Sequence, residues 1–383
     1  MIKQLLIVTS KWPGKTDSSD GGNSTVRELI DILHREYIID ILYFGRCICS
    51  EPQKGISNVI KCDKDFDHYE SYSMDDDSKF SVRLKQANVS ANIINSYQKK
   101  YDRILIIHDM FLLGINPDNS TLLDKVILFP MFTGEAYKKC GEIVPNEYID
   151  RERKLLNKVK AIVSPSESEK NTLITQYGVI NKKIHVIHRC IDRFSYSEHK
   201  LEGKMLRLVY IASVRKQKSH IDAISLVKML TDRGMNVSLT CIGAIQDQDI
   251  YEKCVSMGKE FGLSERIFFS GNLEPDEVNS YLLKSDINIS VSKWETFGRG
   301  IFEGLAAGVP TVALSRIESL DGCVPLEAMP ILCSDVDGMS RCIFELENNR
   351  RLYLYESKKG LILREYLSTE KVRKQLMAAM EWS

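Results

Sequence analysis

Short apolar runs rich in isoleucine, leucine and valine punctuate this chain, and longer amphipathic stretches separate them. In the first half the runs are QLLIVTS, IIDILYF, RILIIHD, KVILFP and AIVSPS. Their apolar positions are continuous rather than alternating, the pattern of strands buried on both faces in a parallel sheet covered by helices. The succession predicts βαβ units. After Ile191 the stretch DRFSYSEHKLEGKM is polar, and the alternation then restarts with LRLVYIASV, VSLTCIGA, RIFFSG, DINISVS and PTVALS. The polar stretch reads as a linker between two doubly wound α/β domains, 1–192 and 205–365. A helical tail over 366–383 is expected to pack back toward the first domain. In such sheets ligands sit beyond the carboxyl ends of the strands, so the residues just after each apolar run carry the chemistry.

Length agrees with two domains, because 383 residues exceed what one core usually spans. Apolar content of 43% and charged content of 27% are ordinary for a soluble globular protein. Lysine plus arginine equals aspartate plus glutamate, 52 of each, so no large net field draws in nucleic acid. No apolar run reaches the ~20 residues of a membrane span, and the N-terminal MIKQLLIVTSKWPG has too short an apolar core for a signal peptide. A cytoplasmic protein is expected. Ten cysteines are scattered singly with no C-x-x-C pair, which reads as reduced thiols. Cys47, Cys49, Cys62 and His68 do not have the spacing of a common structural zinc site.

The stretch SKWETFGRGIFEGLAAGVP, Ser292–Pro310, carries the most chemistry. It places Glu295 on the loop after the strand DINISVS and Glu303 near the start of the next helix. Gly298 and Gly300 allow a sharp turn and a close approach of backbone to ligand, while Gly308 and Pro310 end the helix. A helix N-terminus offers unpaired amides and a positive dipole end, which suit a diphosphate, and a neighbouring carboxylate can accept from ribose hydroxyls. The pair fits a sugar nucleotide.

This stretch resembles the donor-site signature of the family 4 retaining glycosyltransferases, which have the two-Rossmann-domain GT-B fold with its domains facing across a cleft. The preceding RIFFSGNLEPDEVNSYLLKSDINISVS is similar to the strand, turn and helix that lead into that signature. The resemblance implies that Glu295 contacts the donor sugar and Glu303 the ribose. It implies too that the amides of Phe297, Gly298, Arg299 and Gly300 hold the sugar and phosphates. In IASVRKQKSHIDAI, Lys218 falls where the family places a lysine that neutralises the leaving diphosphate, and Ser213 stands where it places an arginine. Arg215 or Lys216, on the same loop, is expected to substitute. Gly243, at the end of VSLTCIGA, falls near the expected donor site.

In the first domain Gly21 and Gly22 precede an amphipathic helix and resemble the family's glycine pair. The loop lacks G-x-G-x-x-G, which disfavours a dinucleotide oxidoreductase. His108 closes the strand RILIIHD and resembles the family histidine that approaches donor sugar and acceptor. Asp109 is placed to orient the ring or an acceptor hydroxyl, and Ser166 to cap a helix. The D-x-D strings in DKDFD, DDD and DQD match a metal-binding feature of the other large glycosyltransferase fold. The basic amphipathic segment Arg151–Lys160 could dock peripherally on the inner face of a membrane, although a charge run is more often a solvated face.

The resemblance implies a hexosyltransferase-type enzyme (EC 2.4) that moves a sugar from a nucleotide sugar, a UDP-sugar by expectation, to a glycan, lipid-linked or protein acceptor in surface polysaccharide or glycoconjugate synthesis. It implies no metal and no cofactor beyond the nucleotide-sugar co-substrate. The signature is broken at Ser213, and HRCID (His188 to Asp192) stands where the family has PNG-D. A catalytically silent GT-B subunit that stabilises a partner transferase or binds an acceptor protein is the alternative.

Overall fold

The computed structural model describes residues 2–14, 21–45, 51–62, 76–139, 141–198, 201, 203 and 205–381, with backbone only at 21 and 76–78. The chain divides into two compact units, one of 1–17, 21–188 and 372–383, the other of 18–20 and 189–371.

The first unit runs β1 (Lys3–Thr9), α1 (Gly21–Leu33), β2 (Tyr37–Tyr43), β3 (Ile56–Lys61), α2 (Asp76–Tyr97), β4 (Arg103–Ile107), α3 (Ser120–Leu123), β5 (Val126–Phe129), α4 (Gly134–Lys139), α5 (Asn146–Leu156), β6 (Ala161–Ser164), α6 (Glu167–Tyr177) and β7 (Ile184–Val186). Its sheet has the order β3-β2-β1-β4-β5-β6-β7, with parallel pairing throughout. Residues Ile104 to Ile107 of β4 are all buried, as a continuous apolar run requires of a central strand. In α1 the buried residues Val26, Leu29, Ile30 and Leu33 recur at helical spacing and turn one face onto the sheet.

The second unit runs β8 (Leu206–Ile211), α7 (His220–Asp232), β9 (Val237–Ile242), α8 (Gln248–Glu260), β10 (Ile267–Gly271), α9 (Pro275–Leu282), β11 (Ile287–Ser290), α10 (Arg299–Ala306), β12 (Thr311–Leu314), β13 (Ile331–Cys333), α11 (Val336–Asn348) and α12 (Arg350–Tyr366). The order β10-β9-β8-β11-β12-β13 is that of a dinucleotide-binding sheet, and the strand order reverses between β8 and β11. The loops that leave β8 and β11 therefore adjoin at the carboxyl end of the sheet, the place where such sheets bind ligands.

Strands β3, β7 and β13 carry no long apolar run. They lie at sheet edges, where one side faces water, and β3 is largely exposed. Among the described residues no helix is long and apolar enough to cross a membrane.

The stretch expected to be a linker from 192 onward begins instead as part of the second unit. Ile191 is fully buried there, and its N–H bonds the Leu367 carbonyl at 3.1 Å. Asp192 caps the start of α13 (Thr369–Glu381) by accepting from Thr369 N and Oγ1, both at 2.7 Å. Arg364 donates to the carbonyls of Asp192 and Phe194. The division between units consequently falls at His188 and Arg189. Polar composition marks this segment as irregular backbone, but its polar groups satisfy helix ends rather than water.

From Val372 onward α13 belongs to the first unit. Val372, Leu376, Ala379 and Met380 are buried. Lys3 pairs with Glu381 at 3.0 Å, Arg103 Nε donates to the Met380 carbonyl at 2.8 Å, and Arg373 pairs with Glu36 at 3.0 Å.

Candidate functional site

Two loops of the second unit meet at the switch point. The loop after β8 ends in a short 3-10 turn, Lys216–Lys218, and the loop after β11 leads into α10. Backbone and side chains join them: Lys293 N–H donates to the Gln217 carbonyl at 2.9 Å, and Gln217 Nε2 donates to the Trp294 carbonyl at 2.6 Å. From below, the buried Tyr210 hydroxyl donates to the Lys218 carbonyl at 2.5 Å and contacts Ser292 Oγ at 2.9 Å. Burial holds that phenol well above its ordinary pKa, so it stays a neutral donor. These ties bring Lys218 Nζ to 2.5 Å from Glu295 Oε1, with about an eighth of each side chain exposed (12% and 13%). Two sequence-predicted residues from separate loops thus form one ion pair.

Arg215 and Lys216 differ in surroundings. Lys216 is exposed, whereas Arg215 is partly buried and its Nε is enclosed without a hydrogen-bond partner among the described residues. A guanidinium with an enclosed, unpartnered N–H is suited to meet an anion.

Gly298 caps α10 with φ 85°, the left-handed region that glycine enters without penalty. A Cβ on Gly300 would lie 2.5 Å from the Ile211 carbonyl oxygen, so glycine lets the helix start press against the end of β8. The buried Asn288 side chain reinforces this contact by donating to the Gly300 carbonyl at 3.0 Å. The N–H groups of Gly298 and Gly300 have no partner among the described residues, as expected of a helix start. Phe297 turns inward and packs on Phe302 with ring centroids 4.8 Å apart, so its side chain belongs to the core and only its backbone is available. Gly243 directly follows β9, and its N–H donates to the Gly271 carbonyl at 2.9 Å.

Glu303 is only 6% exposed. Its Oε1 accepts from Arg299 Nε at 2.7 Å, one helical turn away, and from Arg193 Nη2 at 3.2 Å. No sequence signal pointed to Arg193, which sits in the supposed linker.

His108 lies in the first unit, at the end of β4, with φ 87°. Such backbone is costly for a residue with a Cβ. Nδ1 has two neighbours that favour opposite tautomers: Met110 N–H at 3.2 Å needs a lone pair, and Asp109 Oδ1 at 2.7 Å needs a proton. Nε2 lies 3.4 Å from the Tyr137 hydroxyl. Burial lowers the His108 pKa; Asp109 opposes this, the Arg83 and Lys11 charges add to it in smaller measure, and the net shift is downward, so the neutral ring dominates at pH 7.

Below the ring lies a buried carboxyl cluster that sequence reading did not detect. Asp109 and Glu152 are both fully buried. Glu152 accepts from Gly134 N at 2.8 Å and from the Tyr177 hydroxyl at 2.7 Å, and Tyr148 donates to Asp109 Oδ2 at 3.3 Å. Burial and the adjacent Asp109 charge push Glu152 well above the carboxylate range. Burial pushes the neighbouring Glu169 up to about 7. The signal for this cluster in the sequence is one glutamate within a charged helix, indistinguishable there from its solvated neighbours.

Other expectations resolve locally. Ser166 caps α6 by accepting from Glu169 N at 3.3 Å. Asp247 of the DQD string caps α8 through Ile250 N at 3.0 Å. In the Arg151–Lys160 segment, Arg151 pairs with Glu147 at 2.8 Å and Arg153 with Asp150 at 3.2 Å, which offsets much of its basic charge. Gly21 and Gly22 open α1, whereas the loop before them lies outside the described residues. Cys62 is buried. Cys47, Cys49, His68, the DKDFD string and the carboxylates of DDD also lie outside the described residues.

Comparison with known proteins bears on the fold and the family. The model of glycosyl transferases group 1 matches residues 193–324, and that of glycosyltransferase family 4 matches 142–193. A GDP-Man:Man(3)GlcNAc(2)-PP-Dol alpha-1,2-mannosyltransferase of Dictyostelium discoideum is 26% identical over 163 residues, 40% of this chain and 32% of that protein. The chain spans less than two thirds of the length of the first curated relatives it matches, 32%, 58% and 44% for three of them. Sucrose-phosphate synthase from Thermosynechococcus elongatus has the same fold, with a TM-score of 0.76 at 14% identity over 98% of this chain and 97% of that one. HepE from Anabaena, solved in complex with UDP and glucose, gives 0.71 at 14% identity over 99% of each chain. The two family models, which follow one another over residues 142–324, and the fold shared with solved glycosyltransferases support a family 4 glycosyltransferase of the GT-B fold.

Proposed function

We propose that the chain is a retaining glycosyltransferase that moves a sugar from a nucleoside diphosphate sugar, a UDP-sugar, to an acceptor hydroxyl in surface polysaccharide or glycoconjugate synthesis. The observation that carries this reading is the convergence of the Lys218–Glu295 pair with the unpartnered amides of Gly298 and Gly300 at one switch point. The solved neighbour that contains UDP and glucose supports the choice of nucleotide.

In this reading the acceptor oxygen bonds the anomeric carbon as the bond from that carbon to the diphosphate oxygen breaks. The acceptor proton passes to the departing phosphate. Lys218, Arg215 and the amides at the start of α10 meet the negative charge that develops on the leaving group, so the step needs no metal. Arg215 takes the place of the arginine missing at Ser213, because its Nε is already dehydrated and unpartnered whereas Lys216 is in water. Glu295 holds sugar hydroxyls and Glu303 the ribose. On the first unit, His108 serves the acceptor side as a neutral hydrogen-bonding group.

A thermal-shift screen against UDP-, GDP-, ADP- and dTDP-sugars tests the reading, since a ligand of the native state alone raises stability by mass action. A UDP-sugar should raise the melting temperature of the wild type and lose most of that effect in Lys218→Met. Well-folded protein that responds to none of the sugars would sink the proposal.

A further inference from the structure

We propose that Arg193 is a positioning residue for recognition of the donor ribose: together with Arg299 it ties down one oxygen of Glu303 so that the other is aimed at the ribose hydroxyls. The inference rests on the reading of Glu303 as the ribose ligand and adds the residue that makes it selective.

Three observations carry it. Both guanidiniums converge on Oε1 of Glu303, at 2.7 Å and 3.2 Å, whereas Oε2 has no hydrogen bond among the described residues. A carboxylate with one oxygen held by two guanidiniums and the other left open is an acceptor available to a ligand hydroxyl. Second, Arg299 holds the carboxylate from its own helix, one turn away, whereas Arg193 approaches from a different segment and holds it from a second direction. Third, Arg193 is itself held on both sides: Asp192 caps α13, Arg364 binds the carbonyls of Asp192 and Phe194, and the Arg193 guanidinium lies over the Phe194 ring at 5.0 Å from its centroid. The anchor is rigid, which is what a support for a ligand-binding group requires.

The expected property is discrimination between ribose and deoxyribose. A site built to hydrogen-bond a hydroxyl rejects the analogue that lacks it because its own acceptor is then left unpaired in the complex.

The test is calorimetric titration of the full chain with UDP, GDP and ADP and with their 2′-deoxy and 3′-deoxy forms, for wild type, Arg193→Met and Arg193→Lys. Met keeps the apolar stem over Phe194 and removes the charge; Lys keeps the charge and removes the planar fork. Wild type should prefer at least one ribonucleotide to its deoxy form by roughly tenfold or more. Arg193→Met should narrow that preference to within about threefold, with Lys intermediate, and should raise donor KM while kcat changes little. Melting curves of each variant establish that it is folded, and Arg193→Lys carries the comparison if Arg193→Met is not. Full discrimination retained in both variants would overturn the positioning role while leaving Glu303 as ribose ligand. A wild type that binds a ribonucleotide and its deoxy forms equally would overturn the reading of Glu303, and the inference with it. Absence of binding by all three nucleotides would overturn both.

Discussion

Gln217 and Trp294, 77 residues apart in the chain, are joined by a 2.6 Å hydrogen bond from a side-chain amide to a backbone carbonyl. With the return bond from Lys293 N to the Gln217 carbonyl, it stitches the loop after β8 to the loop after β11. The ion pair between Lys218 and Glu295 stands directly beyond the stitch. Gln217→Ala removes the side-chain half of this connection without touching a charged group of the site. We expect donor KM to rise about tenfold, the equivalent of one hydrogen bond's ~1.4 kcal/mol, with a melting temperature within a few degrees of wild type. Steady-state kinetics beside a thermal melt checks this. An unchanged KM would mean that the loops keep their alignment without Gln217.

Lys218 and Glu295 are mostly shielded from water and each is the other's partner. Removing either takes a close ionic partner from the other in a poorly hydrated place, whereas removing both leaves neither charge behind. Lys218→Met and Glu295→Gln should each lower stability by roughly 1–3 kcal/mol in ligand-free protein, and the double variant by less than their sum. Denaturant unfolding of the four proteins gives the coupling directly. Additive losses would show that the pair contributes no net interaction.

Glu169 provides a signed pH dependence. Its folded pKa is raised from 4.5 to about 7 by burial. The native state therefore keeps a proton that the unfolded chain releases above pH 4.5, and this contribution to stability is lost as pH rises from about 4.5 through about 7. Glu169→Gln removes the titration and preserves the shape. The stability of wild type relative to Glu169→Gln should fall steadily across that window and level off above it. His220, whose pKa is lowered to about 4 by burial, contributes in the opposite sense in both proteins and cancels in the comparison. A flat difference from pH 4 to 8, measured by unfolding at each pH, would refute the assignment.

The legible part of the site was the part written in consecutive residues. Glu295, Gly298, Gly300 and Glu303 lie within one strand, loop and helix, so local geometry alone places their groups near one another. Lys218 was legible for the same reason, as a residue just past a buried strand. Arg193 was not: it bonds Glu303 across 110 residues, from a stretch whose composition suggests only solvated backbone. Glu152 was hidden among Arg151, Arg153 and Lys154, because charge in a sequence does not say which helix face turns inward. The edge strands β3 and β13 escaped notice because a strand with one side open to water needs no continuous apolar run.

By itself the sequence determined the two α/β halves, since continuous apolar runs can be buried only between covering layers of helix. It determined too the helix start at Arg299, since glycines and a following apolar face leave the backbone few alternatives. Tertiary structure alone decided which charges meet. Packing brought Lys218 to Glu295, gave Glu303 two guanidiniums on one oxygen, and placed Asp109 against Glu152 under His108. The physical reason is range: periodicity and turn chemistry act over a few residues, whereas the energy of a charge depends on burial and on partners that only the folded chain supplies.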